Sequence, residues 1–157
     1  VIDAEGLYVG PGLIDIHTHA ADNLWIFEEP EKTSRYMLSH GVTGVLPALY
    51  YNLNKAQYIK AAKDLISAYK ARIFPNFSGL YMEGPYLNPK FGCDREKNTW
   101  KGDIKKEDYA ELIDIVKDYT KVWCIAPERE GIDAFVKDVC AVTEDPVSAV
   151  AYSEATL

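Results

Sequence analysis

The sequence predicts an α/β fold, a partial (β/α)8 TIM-type barrel of about five βα units. Short apolar runs alternate with stretches of helical period, which is the pattern of βα units on a parallel sheet. The 157 residues are a little over half of the roughly 250 that a complete barrel needs. A doubly wound five-stranded sheet is the rival reading. Against it, no GxGxxG or GxxxxGK[ST] follows the first run, where a nucleotide-binding fold would carry it.

The first run is Leu13-Ile14-Asp15-Ile16-His17, introduced by the breaker Gly10-Pro11-Gly12, and it reads as a buried strand. Pro30 suits a first helical turn, and that helix runs to His40 and is ended by Gly41. Thr43-Gly44-Val45-Leu46-Pro47-Ala48-Leu49 is the second strand. Asn54, with Gln57 three residues on, is a helix-starting pair. Ile59, Ala62, Leu65, Ile66 and Tyr69 of that helix share one face.

Gly79-Leu80-Tyr81-Met82-Glu83 is the third strand. A polar loop follows over residues 84–102, expected to lie over the strand ends and to stay largely exposed; such a loop is more often a binding loop than idle chain. Tyr109, Leu112, Ile113, Val116 and Tyr119 mark a further helix, and Val122-Trp123-Cys124-Ile125 a fourth strand. Ile132, Phe135, Val136 and Val139 mark a short helix, and Val147-Ser148-Ala149-Val150-Ala151 a fifth strand. The opening Val1-Ile2-Asp3-Ala4-Glu5-Gly6 has no initiator Met and reads as the last strand of something earlier. The expected division is therefore residues 1–10 as a linker or domain end and residues 11–157 as the first part of a truncated barrel.

Composition narrows the function classes. The net charge of −7 argues against a phosphate-backbone binder, whose affinity rests on clustered Lys and Arg, so no nucleic-acid partner is expected. No run approaches the ~18 apolar residues of a membrane span, and the N-terminus lacks the basic and apolar regions of a signal peptide. Cys93, Cys124 and Cys140 form no CxxC pair, and an odd, sparse set reads as reduced thiols in a cytoplasmic protein.

His17 and His19 lie two apart at the end of the first strand, so a period of two puts both imidazoles on one face, with Asp15 behind them. In a barrel that face can point inward, at the end where active sites lie. Neutral imidazoles suit zinc and its neighbours; the plainer reading is a hydrogen-bonded His pair at a strand end. Glu83 ends the third strand in the same way. A buried carboxylate there is costly unless paired or metal-bound, and two His with one carboxylate form a usual catalytic zinc set. The three donors are expected within roughly 6 Å of one another, near enough to share a cation. Asp15 reads as a partner of a His ring or a buried structural acid. Glu128 either lines the site or caps the next helix. His40 suits a helix end. Cys93 has no histidine nearby to act as its base. Trp100, Tyr86 and Phe91 stack on a sugar or pack the loop down, and packing is the default.

These residues carry a resemblance. Pro11-Gly12-Leu13-Ile14-Asp15-Ile16-His17-Thr18-His19 resembles the first-strand motif of the amidohydrolase superfamily. Glu83-Gly84-Pro85-Tyr86-Leu87-Asn88-Pro89, Ala126-Pro127-Glu128 and Ser153-Glu154-Ala155-Thr156 resemble the N-acetylglucosamine-6-phosphate deacetylases in particular. The resemblance implies a metal-dependent (β/α)8 barrel with a small β-sandwich built from both chain ends, to which residues 1–10 would belong. It implies metal binding by His17, His19 and Glu83, with a divalent ion, Zn2+ before Fe2+, Co2+ or Mn2+. It implies hydrolysis of the acetamide of an amino-sugar 6-phosphate.

The sequence departs from that pattern at two places. Tyr152 stands where the family commonly has a metal-binding His, and Gly92-Cys93-Asp94 where it commonly has Gly-Ala-His. Asn88, Asp94 and Tyr152 are accordingly the candidate substrate-binding residues. No catalytic acid/base is expected within this chain; by resemblance it comes from downstream of Leu157. The alternatives are another amidohydrolase acting on a cyclic amide or dipeptide, and a non-catalytic half-barrel. The open edges of a half-barrel favour pairing, either as a homo-oligomer or with the rest of a barrel.

Overall fold

A computed structural model describes residues 3–156. Five parallel strands form one sheet: β1 (Leu13–Thr18), β4 (Val42–Tyr50), β5 (Leu80–Glu83), β6 (Thr120–Ile125) and β7 (Val147–Val150), hydrogen-bonded in that order. A short antiparallel hairpin, β2 (Ala20–Ala21) and β3 (Leu24–Trp25), lies between the first two. Each later sheet strand pairs with the one before it, so the strand order never reverses. A doubly wound sheet must reverse at its switch point, and this one winds in one direction, as half a barrel does.

Helices α1 (Pro30–Ser39), α2 (Lys55–Lys70), α3 (Lys106–Val116) and α4 (Ile132–Val142) occupy the crossovers. Pro30 starts α1 in its first turn, where its missing N–H costs nothing. Asn54 and Gln57 close a reciprocal capping box on α2. The main core lies between the helices and one face of the sheet: Leu49, Leu80, Met82 and Trp123 meet Leu65, Leu112 and Phe135, all 1% exposed or less. The other, concave face holds a smaller cluster of Tyr50, Tyr51, Leu87 and Cys124.

Three expectations are corrected. β1 is an edge strand, not a buried one: Leu13, Ile14 and Ile16 are 64%, 72% and 60% exposed, because among the described residues no strand pairs with its outer edge. The loop over residues 84–102 is not largely exposed. Tyr86, Leu87, Asn88, Asn98 and Trp100 are buried, since Tyr86 drives its ring edge-on into Trp100 and Phe135, with centroids 5.5 and 5.4 Å away. Its middle, around residues 90–97, stays mostly at the surface, as do Thr99, Lys101 and Gly102 near its end. The expected opening strand falls partly on residues 1 and 2, which lie outside the described residues. Residues 3–10 form no strand, only a turn at Glu5 and Gly6 with Leu7, Tyr8 and Val9 exposed.

Tyr58 joins the core to the strand ends. Its ring is fully buried and its hydroxyl donates to the carbonyls of Leu49 and Glu83, at 2.7 and 3.3 Å. Tyr58→Phe is expected to cost about 1–3 kcal/mol, because two buried carbonyls lose their donor; urea unfolding of the variant measures it.

Candidate metal centre

His17, His19 and Glu83 converge at the carboxyl end of the sheet, and one donor atom from each lies within 4.8 Å of the others. Their strands are not neighbours, since β4 separates β1 from β5. Two strand spacings on a flat sheet are roughly 9.6 Å. Curvature and the reach of the side chains across the concave face close that gap. Glu83 Oε2 lies 3.0 Å from His19 Nε2 and 3.6 Å from His17 Nε2.

A bulge in β1 aims the histidines. Asp15 pairs with Val45 and Thr18 with Pro47, so three residues of β1 advance against two of β4. That extra residue switches the face after Asp15. His17 and His19 point to the concave side, while Asp15 shares the Val45 side. Asp15 Oδ1 accepts from the backbone N–H of His17 at 3.0 Å; it is not the partner of a His ring. Strict alternation, which the sequence reading assumed, misplaces it by this single residue. The ring of His19 is oriented by a main-chain group that no side-chain motif announces, through Nδ1 to the Ala48 carbonyl at 2.9 Å.

The local chemistry fits a cation. With Nδ1–H donated to Ala48, the neutral His19 presents the lone pair of Nε2, and Glu83 Oε2 faces it at 3.0 Å. Two acceptors at that distance need something positive between them. The contact lacks hydrogen-bond geometry, and Oε2 is buried with no hydrogen-bond partner, so a proton on Nε2 meets Oε2 as a charge and leaves its hydrogen-bonding capacity unfilled. Two imidazoles and a carboxylate are the donor set of a catalytic zinc site with coordination positions left open.

In the absence of metal, charge settles on this pair. Desolvation opposes ionisation of Glu83, but the imidazoles of His17 and His19 outweigh it and hold its pKa at about 2. Burial of His19 favours its neutral form, yet Glu83 and the Ala48 carbonyl overcome this and raise its pKa above 6.5. The depressed Glu83 adds stability that is present above pH 4.5 and lost as pH falls towards 2. The raised His19 adds stability that is present below pH 6.5 and lost as pH rises through its folded value. The metal-free chain is therefore expected to melt highest between these limits. Thermal melts across pH check this, and a maximum above neutrality would refute it.

The other candidates fall around the triad. The Asn88 amide donates to Glu128 Oε1 at 2.7 Å, and its own Oδ1 accepts from the Lys90 N–H, so it is engaged within the protein. Glu128 neither enters the metal cluster nor caps α4. It also accepts from Ser153 Oγ at 2.6 Å and the Glu154 N–H at 2.9 Å, and ties the ends of β5, β6 and β7 together. Tyr152 stands beside Glu83, and burial followed by that carboxylate pushes its hydroxyl pKa up. Asp94 is held on the same rim, its N–H donating to the Tyr51 hydroxyl at 3.3 Å. His40 bonds to the Tyr36 carbonyl, away from the site. Cys93, Cys124 and Cys140 are all free thiols.

Sequence reasoning missed the aromatic surround. Tyr81 meets His17 edge-on at 4.4 Å, Tyr50 lies 4.9 Å from His19, and Trp25 stacks on Tyr50 at 5.5 Å and 12°. Two signals could have found it. Tyr50 ends the second strand in register with Glu83. Asp22-Asn23, with φ of 53° and 60°, is a two-residue hairpin turn that needs positive φ at both positions.

Against this geometry stand the known proteins. N-acetyl-D-glucosamine-6-phosphate deacetylase from Mycobacterium smegmatis superposes on 93% of this chain with a TM-score of 0.72 and 22% identity. A mutant of that enzyme, solved in complex with N-acetyl-D-glucosamine-6-phosphate, gives 0.73. The corresponding deacetylase from Thermotoga maritima gives 0.74 at 17% identity. The chain folds as these deacetylases do. It spans only 41%, 38% and 38% of their lengths. An adenine deaminase from Clostridium perfringens is 48% identical over 46 residues, 29% of this chain and 8% of that enzyme. No protein-family model matches the chain.

Proposed function

We propose that this chain is the metal-bearing first part of a longer hydrolase that removes the acetyl group from N-acetylglucosamine 6-phosphate. The observation that carries the reading is the buried, partnerless Oε2 of Glu83 facing the lone pair of His19. The shared fold and the match of the chain to about two fifths of each deacetylase support it. His17, His19 and Glu83 would hold one divalent ion, with zinc suited to this N/O set and Fe2+, Co2+ or Mn2+ the alternatives. A bound ion there supplies an acidified water and a polarised amide carbonyl. Ala48 fixes the His19 tautomer, Tyr58 holds the main chain at Glu83, and Tyr81 and Tyr50 pack against the rings of His17 and His19. The same reading places residues 1–10 at the edge of a companion β-sandwich and the protein in a reducing compartment such as the cytoplasm. No helix of the described residues is long and apolar enough to cross a membrane.

A second reading is favoured by one observation: the local identity to an adenine deaminase, together with Tyr152, is compatible with an amidohydrolase that opens a cyclic amide or releases ammonia. The protein carrying this segment, assayed for acetate release from N-acetylglucosamine 6-phosphate and for ammonia release from adenine, separates the two. Acetate release supports the first reading; ammonia release alone overturns it.

The isolated chain is expected to release no measurable acetate. Loss of a positioned acid/base alone costs roughly 10²–10⁴-fold, and by the resemblance that group lies beyond Leu157. The exposed apolar residues of β1, with Val147 and Val150 of β7 at 56% and 64%, are proposed to be covered by the remaining strands of the barrel. In their absence these edges should drive self-association. Ile14→Lys should reduce the associated fraction in sedimentation velocity.

A further inference from the structure

We propose that Trp25 is a stacking platform for the pyranose ring of the substrate, an inference that rests on the hydrolase reading above. The chain has three tryptophans, and Trp100 and Trp123 are 7% and 1% exposed while Trp25 is 36% exposed. Single exposed apolar residues are ordinary; the position of this one is not. The hairpin pairs Trp25 with Ala20, and the Ile26 N–H donates to the His19 carbonyl at 3.0 Å. The same short segment therefore positions the metal-site histidine and the indole. Tyr50 supports the indole from one side, nearly parallel at 12°, and Tyr50 is itself only 8% exposed. The indole is thus a rigid ring backed by another.

Its distance from the triad selects the part of a substrate it can touch. The indole centroid lies 6.2 Å from that of the His19 ring. With the scissile amide at the His17–His19–Glu83 donors, that span reaches a ring attached directly to the amide nitrogen. It falls short for a ring joined through a long spacer. The chemistry selects a saturated ring: an indole face is electronegative and attracts edges of opposite polarity, such as the C–H groups along one face of a pyranose. Tyr86 and Trp100 of the 84–102 loop are turned into the core and cannot serve.

The test uses the full chain loaded with zinc, which is spectroscopically silent, and N-acetyl-D-glucosamine as the titrant. The intrinsic tryptophan fluorescence of the chain is expected to change saturably in the millimolar range. Trp25→Ala should remove that change and weaken binding, read by ligand-observed NMR, at least about tenfold. Trp25→Phe, which keeps a flat ring and guards against collapse of the hairpin, should retain binding within a few-fold of the parent. Equal sugar binding by the parent and Trp25→Ala overturns the proposal. So does saturable binding of adenine with none of the sugar. Zinc uptake, followed separately by equilibrium dialysis, keeps the two readings distinguishable. Uptake without a sugar response sinks the platform alone, whereas a sugar response without uptake sinks the metal reading and leaves the platform.

Discussion

Glu83→Ala is expected to lower divalent-metal affinity by more than about 100-fold, since even outer residues of a metal site cost 10–100-fold when replaced. The carboxylate is 2% exposed, and its Oε2 is the atom towards which both His17 and His19 turn. Truncation leaves two imidazoles on a face open to water, which can still hold a metal weakly. His19→Ala should have a similar effect. His40→Ala, which removes the histidine bonded to the Tyr36 carbonyl, should have none. Equilibrium dialysis with zinc, or the visible spectrum of the cobalt-loaded chain, reads the difference. Unchanged affinity in both Glu83→Ala and His19→Ala would dismiss the metal centre.

The second large effect concerns the core that holds this centre in place. Leu65 lies on the buried face of α2, fully enclosed. Leu65→Ala should destabilise the chain by about 2–5 kcal/mol, the loss of transfer energy plus an unfilled cavity. For a domain of this size the melting temperature should fall by roughly 4–20 °C. Total stabilities are only about 5–15 kcal/mol, so the higher figure would approach global unfolding. Calorimetry on the metal-free chain measures it. A fall below about 1 kcal/mol would mean that α2 repacks freely against the sheet.

Much of this protein was legible in its sequence, for reasons that are local. Apolar runs and helical faces repeat with the periods of their elements. The Asn54–Gln57 cap and the Pro30 start depend on contacts within one turn of chain. His17, His19 and Glu83 stand at strand ends, and strand ends share one side of a parallel sheet, so their meeting follows once the sheet winds in order. The resemblance to deacetylases, and the departures from their pattern that it implies at Asp94 and Tyr152, needed no coordinates to be read.

Only the tertiary structure decided the rest. The bulge between Asp15 and Thr18 exists because β1 pairs with β4 across a register that no residue type announces, and it separates Asp15 from the imidazoles. The tautomer of His19 is set by a carbonyl 29 residues away. The loop after Glu83 reads as polar, yet it is half buried, because Tyr86 and Trp100 find aromatic partners on α2, α3 and α4. Trp25 reaches the site through a two-residue turn and a stack on Tyr50. Sequence period fixes which side of its own element a residue faces; it says nothing of which distant group will be waiting there.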